Sequence, residues 1–402
     1  MQSNTARATA NASATFLKAP VMRAAPETYA KQLEEKRKVL AALLRWPTEH
    51  IQVHESRPTH YRARAEFRVW HAQEKLFYAM FGSAEPGARP APVQVEEFTI
   101  GSMLMNALMV PLMEHIKDNH TMRKKLFQCN FHTTVHGEAM VTMVYHRKLD
   151  QAWQAEAERI RNTLAEDAGM SRDALSLIGR SKKQKIVLGD DFVLEKFHVD
   201  GAEYTYKQFE GCFSQPNAGM CQHMLKWAKE VTRNLQGGDL LELYCGNGNF
   251  TVALASNFRS CLATEISKRS VAAAKDNIAM NDATNVEVVR MSSEEFTEAY
   301  HAGTTVKGVD MTGYNFTTVL VDPPRAGLDP DTEKLVCEFD NIVYVSCNPH
   351  TLRKNLDHIS KTHIIRHVAM FDQFPYTEHT ECGVFLVKKA REGPAEDALP
   401  EP

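Results

Sequence analysis

The chain has 402 residues, of which 43% are apolar, and its 47 basic and 50 acidic side chains leave a formal net charge of -3. This suits a soluble protein of two or three domains and excludes a histone-like, broadly basic nucleic-acid binder, while a local basic face stays open. No run of about 18 apolar residues occurs that would span a membrane; the densest stretch, Met103 to Met113, is shorter and contains Asn106.

Residues 1–25 are rich in Ala, Ser, Thr and Asn and carry no acid, so they are expected to be a disordered extension. Residues 26–210 are expected to form an α+β domain with an antiparallel sheet. Helical spacing predicts a charged surface helix over Tyr29 to Leu44. Tyr61 to His71 alternates as a strand, and Leu76 to Phe81 is expected to pair with it across a loop containing Glu74 and Lys75. Arg62, Arg64 and Arg68 would then share one face with Glu66 between them, a pattern that a solvated sheet face would also give. Helices are predicted at Ser102 to Lys117 and Gln151 to Ala168, and strands at Lys125 to His132 and Glu138 to Arg147 around a His136-Gly137 turn. Arg180, Lys182, Lys183 and Lys185 form a second basic cluster, suited to phosphates.

Around Gly211 the pattern changes, and residues 211–390 are expected to form a doubly wound α/β, Rossmann-like domain. A helix over Ala218 to Leu235 leads to the strand Leu240 to Tyr244, the turn Cys245-Gly246-Asn247-Gly248-Asn249-Phe250 and a helix over Thr251 to Asn257. Such a strand, glycine turn and helix lets a ligand approach the backbone and meet a helix N-terminus. The next strand, Ser260 to Thr264, ends in Glu265, a carboxylate placed to accept hydrogen bonds from ribose hydroxyls. A dinucleotide fingerprint would need a third glycine where Thr251 stands, so S-adenosylmethionine, with no diphosphate to cradle, suits the turn better than NAD. The rhythm continues with a helix over Ser267 to Asn281, strands at Val286 to Arg290 and Thr317 to Val321, a helix over Asp331 to Phe339, a strand over Asn341 to Ser346 and a helix over His350 to Lys361. The tail 391–402 is acidic and Pro-rich, and is expected to be disordered.

Two strand ends carry chemistry. Asp322-Pro323-Pro324-Arg325 follows one strand, and Cys347-Asn348-Pro349 follows another, where ligands of open α/β sheets bind. Free cysteine is commonly a small buried hydrophobe, and that reading suffices for the other seven. Cys347 is set apart by the polar Asn-Pro after it and by the motifs around it. The eight cysteines are irregularly spaced with no C-x-x-C pair, which fits free thiols in a reducing cytoplasm and predicts neither a disulfide framework nor a metal site.

Leu241 to Phe250, Asp322 to Arg325, Ser346 to Pro349, and Phe374-Pro375-Tyr376-Thr377 with His379-Thr380-Glu381-Cys382-Gly383, in that order, resemble the RNA uracil-5-methyltransferase family. The likeness covers nearly the whole chain from about residue 26 to 389. It implies an S-adenosylmethionine-dependent enzyme with an N-terminal RNA-binding domain, acting on the T-loop uridine of tRNA and on T-arm-like structures such as that of tmRNA. It implies Cys347 as the nucleophile that adds to carbon 6 of uracil, making carbon 5 electron-rich, and Glu381, in the turn before the last strand, as the base that removes the carbon 5 proton. His379 is a nearby alternative base. Gln215, Tyr244, Asn249, Glu265 and Asp322 are implied as cofactor contacts, and Arg62, Arg64, Arg68 and Phe131 as an RNA-facing surface. Ribosomal-RNA relatives carry an OB-like domain and four cysteines for an iron-sulfur cluster, whereas here no cysteine precedes Cys129, so no cluster is expected. The target base must be flipped out of its stack to reach Cys347. A noncatalytic RNA-folding protein and a methyltransferase for ribosomal RNA stand as alternatives. A monomer with no membrane partner is expected.

Overall fold

The computed structural model describes residues 23–72, 75–81, 91–303, 305 and 308–390. The extension expected to be disordered falls outside them up to residue 22, as do the tail from 391 and the loop residue Glu74.

The chain opens with α1 (Pro26–Leu44), an amphipathic helix with Pro26 in its first turn that buries Tyr29, Leu33, Lys36, Leu40 and Leu44. A short strand, β1 (Ile51–His54), leads to β2 (Arg64–Ala72), β3 (Lys75–Phe81) and β4 (Pro92–Gln94). Then come α2 (Met103–Lys117), α3 (His120–Arg123), β5 (Leu126–Thr133), β6 (Ala139–Tyr145), α4 (Gln151–Asp167), β7 (Leu175–Ser181) and β8 (Gln184–Leu188). β2 to β8 make one seven-stranded sheet in the order β4-β3-β2-β5-β6-β7-β8, antiparallel except between β6 and β7. α2 and α4 are capped by the side chains of Ser102 and Asp150, which accept from the backbone N–H of Met105 and Trp153. Both helices pack on one face of the sheet over Phe67, Phe98 and Phe131, each at most 1% exposed; on the opposite face Met140 of β6 and Ile178 of β7 are covered by Val193 from the hairpin that comes next in the chain, and Trp70 of β2 is exposed.

A hairpin follows, β9 (Phe192–Val199) and β10 (Ala202–Phe209). Its two-residue turn, Asp200-Gly201, has φ 52° and 80°, the doubly positive pair that an Asp-Gly turn provides. The remainder alternates helix and strand: α5 (Ala218–Val231), β11 (Asp239–Leu243), α6 (Asn249–Leu254), β12 (Cys261–Glu265), α7 (Lys268–Met280), β13 (Val286–Arg290), α8 (Ser293–His301), β14 (Phe316–Val321), α9 (Pro330–Val336), β15 (Asn341–Ser346), α10 (Pro349–Ile359), β16 (His363–Phe371) and β17 (Glu381–Lys388). Their sheet runs β1-β16-β17-β15-β14-β11-β12-β13, with β17 antiparallel to both neighbours. From β11 the chain goes to β12 on one side and later to β14 on the other, so a crevice opens at the carboxyl ends of β11 and β14.

The α5 helix stops at Val231, short of Leu235, and α8 lies in a stretch for which no element was predicted. Its signal is a capping box, in which Ser292 and Glu295 bond to each other's backbone N–H. The boundary expected at residues 210/211 does not separate the two sheets. β1 pairs in parallel with β16 at the edge of the C-terminal sheet, and β9 and β10 pack on α5 and α7. The strand periodicity of four residues, Ile51 to His54, is too short to reveal that placement.

Among the described residues, no helix is long and apolar enough to cross a membrane, and no group of three or more His, Cys, Asp or Glu could hold a metal ion.

Candidate active site

The glycine turn after β11 is a left-handed stretch. Tyr244, Gly246 and Gly248 have φ of 63°, 58° and 78°, a conformation that glycine adopts freely and tyrosine rarely. The Tyr244 conformation is held by neighbours: its hydroxyl accepts from Ser293 Oγ at 2.7 Å, and Cys245 N donates to Thr264 O at 3.0 Å. A Cβ on Gly246 would meet nothing within 4 Å, so open space lies above the turn. Glu265 closes the turn from β12, accepting from Gly246 N at 3.1 Å and from Ser267 N at 2.7 Å. Thr251, in place of a third fingerprint glycine, is buried and donates to Glu242 Oε2 at 2.5 Å. Asn249 Nδ2 donates to Cys221 Sγ at 3.3 Å, and Gln215 Oε1 accepts from Gln373 Nε2 at 2.6 Å. Gln215, Tyr244, Asn249 and Glu265 therefore come from four segments, two of them in and beside the glycine turn. The anchored carboxylate beside an open, glycine-lined turn fits a ribose, and the exposed Ile266 next to it fits an apolar ring face.

The reactive end is set by strand register. β15 and β17 pair Val345 with Gly383 and Ser346 with Cys382, so one step further Cys347 stands opposite Glu381. Glu381 is the first residue of β17 and 3% exposed, whereas the sequence placed it in the preceding turn. Cys347 sits in a tight turn: Asn348 N donates to Ser346 Oγ, and Ser346 Oγ to Asn348 O, both at 3.1 Å. Asn348 then caps α10, so Cys347 lies at the N-terminal end of a helix. Asn348 Nδ2 also donates to Arg325 O at 2.9 Å, tying the thiol turn to the Asp322-Pro323-Pro324-Arg325 loop. That loop has Gly327 at φ 81°, where a Cβ would lie 2.7 Å from Asn355 Oδ1, the atom that accepts from Leu328 N at 3.1 Å. Glycine is required there.

The electrostatics are those of neighbouring acids away from water. Burial raises Asp322 to about 7, and burial together with Asp322 holds Glu381 well above the usual carboxylate range. Burial, then Glu381 and Asp322, push the Cys347 thiol up to about 11, against the pull of Arg325. The thiol is thus protonated near neutrality, beside carboxylates that can take its proton.

An ion pair between distant segments supports this end. Lys36 Nζ, on α1, donates to Asp372 Oδ1 at 2.6 Å, Phe374 O at 3.0 Å and His379 O at 2.9 Å. Its three protons are all used, and they fix the 372–380 loop that delivers Glu381. Tyr61 and Tyr376 add bonds from their hydroxyls to Pro375 O at 3.2 Å and Pro58 O at 2.7 Å. His379 lies in that loop, exposed, two residues short of the position facing Cys347. Nothing in the sequence marked Lys36.

The expected RNA-facing residues divide. Arg62 Nε donates to Arg64 O at 2.8 Å, and Arg64 donates to Cys212 O at 2.8 Å and Ser214 Oγ at 3.0 Å, so Arg64 locks the strand to the segment leading into α5. Arg68 lies on the open face, its guanidinium 3.7 Å from the centre of the Phe127 ring. Phe131 is a correction: 1% exposed, it packs edge-on against Phe67 and Tyr78 inside the sheet's core, where no RNA reaches it. Phe127, overlooked in the sequence, lies half-buried on the other face and stacks on His146 at 4.1 Å. Strand periodicity puts Phe127 and Phe131 on the same face; a register shift between Leu126 and Gln128 turns Phe127 outward. A cavity of about 620 Å³ lined by Arg68, Trp70, Phe81 and Phe127 opens beside it.

Known proteins resemble this chain over nearly its whole length. The family model described as tRNA (Uracil-5-)-methyltransferase matches residues 28–389. The tRNA/tmRNA (uracil-C(5))-methyltransferase of Saccharophagus degradans is 49% identical over 370 residues, covering 90% of this chain and 98% of that protein. Its counterpart in Chromohalobacter salexigens is 47% identical over 371 residues, covering 91% and 97%. The crystal structure of the Pyrococcus abyssi tRNA (uracil-54, C5)-methyltransferase with S-adenosyl-L-homocysteine superimposes with a TM-score of 0.66 at 23% identity, covering 89% of this chain and 83% of that one, and so shares the fold. With nearly its whole length matched, the chain belongs to the tRNA (uracil-5-)-methyltransferase family.

Proposed function

We propose that this protein methylates carbon 5 of the T-loop uridine of tRNA, and of T-arm-like loops in other RNAs, through a covalent bond from Cys347 to carbon 6 of the base. The observation that supports this reading is the β15–β17 register: Ser346 pairs with Cys382, so Cys347 and the buried Glu381 are the next opposed positions at the strand ends. Tyr244, Asn249, Glu265, Gln215 and Asp322 hold S-adenosylmethionine, which when bound supplies an electrophilic methyl group. Cys347 gives its proton to a neighbouring carboxylate and attacks carbon 6; the helix N-terminus and Arg325 stabilise the thiolate. Glu381 removes the proton from carbon 5 after methylation, and the Cys347 thiolate leaves as the ring double bond returns. Asp322, raised by burial to about 7, binds and releases a proton near neutrality at little free-energy difference, and Glu381, held above the usual carboxylate range by burial and Asp322, is the more basic for it. Arg68, Phe127 and His146 on the open sheet face hold the RNA by stacking and phosphate contacts while the target base is flipped.

The test is incubation with S-adenosylmethionine and T-arm RNA carrying 5-fluorouridine, whose fluorine cannot leave as a proton. A methylated adduct that Cys347→Ala abolishes is the expected result. Adduct formation persisting in that variant, or no methyl transfer to unmodified tRNA, would overturn the proposal.

A further inference from the structure

Five lysines at one end of the seven-stranded sheet have no part in the site described above. Lys124 and Lys125 precede β5, Lys148 lies just beyond β6, and Lys182 and Lys183 make the two-residue turn between β7 and β8. Strand pairing gathers them, because β5 begins where the antiparallel β6 and its parallel neighbour β7 end. All five are exposed, and among the described residues none takes part in an ion pair. The rest of the basic cluster is neutralised: Arg180 pairs with Glu210, and Lys185 with Asp191 at 2.6 Å. Asp150, two residues after Lys148, is engaged in the cap of α4, accepting from Trp153 N at 2.9 Å.

These loops are braced. Arg147 donates from its fork to Lys124 O at 3.0 Å, Lys148 O at 3.0 Å and Thr121 O at 2.5 Å, and its own carbonyl accepts from Ser181 Oγ. Gln184 exchanges two bonds with the backbone of Leu149, at 2.9 and 2.8 Å. Lys125 and Lys183 are left-handed, with φ of 58° and 59°, a conformation lysine adopts only when its surroundings impose it. Mutually repelling charges are therefore held on a rigid rim with no counter-charge, as a polyanion site requires.

The rim lies far from the crevice. β2 starts beside the crevice, where Arg64 bonds to Cys212 and Ser214, and ends near the rim, where His71 Nε2 meets Leu126 O at 2.7 Å. Its nine residues extend for roughly 30 Å at about 3.3 Å each. Resting on the tRNA reading given above, we propose that this rim binds the phosphate backbone of double-helical RNA beyond the target stem-loop, by charge and without reading sequence.

Lys124→Gln/Lys148→Gln/Lys182→Gln, which spares both left-handed positions, tests this by anisotropy titration over a salt series, with full-length tRNA and with the T-arm stem-loop alone. Retained S-adenosylmethionine affinity and thermal midpoint establish that the variant is folded. The expected result is a Kd for tRNA raised about tenfold or more, with a log–log salt slope reduced by about 2 to 3, near 0.9 per lost phosphate contact, and a much smaller effect on the stem-loop. An unchanged Kd and slope, or equal losses on both RNAs, overturns it. Loss of binding to phosphatidylserine vesicles with tRNA binding intact would assign the rim to a membrane surface, and also overturns it. If the wild type binds tRNA without methylating it, the activity reading fails while the rim's test still stands.

Discussion

Replacing Lys36 by methionine tests how far the catalytic end depends on a residue more than 300 positions away in sequence from Glu381. The side chains of Lys36 and Asp372 are 2% and 1% exposed, and the ammonium spends all three donors on the 372–379 segment. Lys36→Met removes those bonds and leaves a buried carboxylate beside Tyr29, whose own acidity is weakened by burial and by Asp372. Breaking one side of a buried pair costs about 3 to 5 kcal/mol, because the remaining charge has lost water and partner alike. At about 2 to 4 °C per kcal/mol for a domain of this size, the thermal midpoint should drop by roughly 6 to 20 °C. Lys36→Met/Asp372→Leu removes the orphaned charge and should recover at least half of that loss. Activity below the unfolding transition should also fall, since a displacement of about 1 Å at Glu381 costs about 100-fold in rate. A loss under about 1 kcal/mol, or a double variant no more stable than the single one, would refute the argument that this pair holds the loop.

Glu381→Gln should methylate and then stall, because carbon 5 keeps its proton: turnover falls by about 10² to 10⁴ while a covalent protein–RNA band builds up on denaturing gels, and a clean loss of all adduct would argue against the base role. Asp322 raises both Glu381 and Cys347, so Asp322→Asn should lower both and move the rising limb of the kcat/KM profile toward lower pH; a limb that stays put or moves up contradicts that sign. Phe131→Ala should cost about 3 to 5 kcal/mol in stability as a core cavity, with the tRNA affinity of the folded fraction unchanged, whereas Phe127→Ala should weaken tRNA binding and leave the thermal midpoint nearly where it was. A stability-neutral Phe131→Ala would mean that the ring is not in the core.

What the sequence revealed follows the range over which its signals act. Helices such as α2 and α4, and the strands before each motif, were legible from caps and periodicity, which are local. The thiol, its motif partners and the glycine turn were legible because each is a short run of residues bound to one strand end. What could not be read depends on pairing across the chain. β1 has no pattern of its own and is defined by β16, and Lys36 looks like any lysine of a charged helix until Asp372 is placed beside it. Phe131 and Phe127 were exchanged for a subtler reason: alternation assigns faces only while the ladder is regular, and the bulge at Leu126 resets it.

The course of the chain around β1 has a mechanical consequence. The chain leaves the eight-stranded sheet after β1, builds the seven-stranded sheet and returns at α5, and the outgoing and returning segments meet where Ala63 N donates to Pro216 O at 2.7 Å. The seven-stranded sheet is therefore hung from two points joined to each other, and it cannot pivot as a module on a single flexible linker would. On the function proposed above, an RNA gripped on it would arrive at the crevice on a fixed bearing, and the search for the target base would be confined to local motions of the RNA itself. A fragment beginning at residue 211 would forfeit more than this guidance: it would expose β16 as a bare sheet edge and leave Asp372 with no cation.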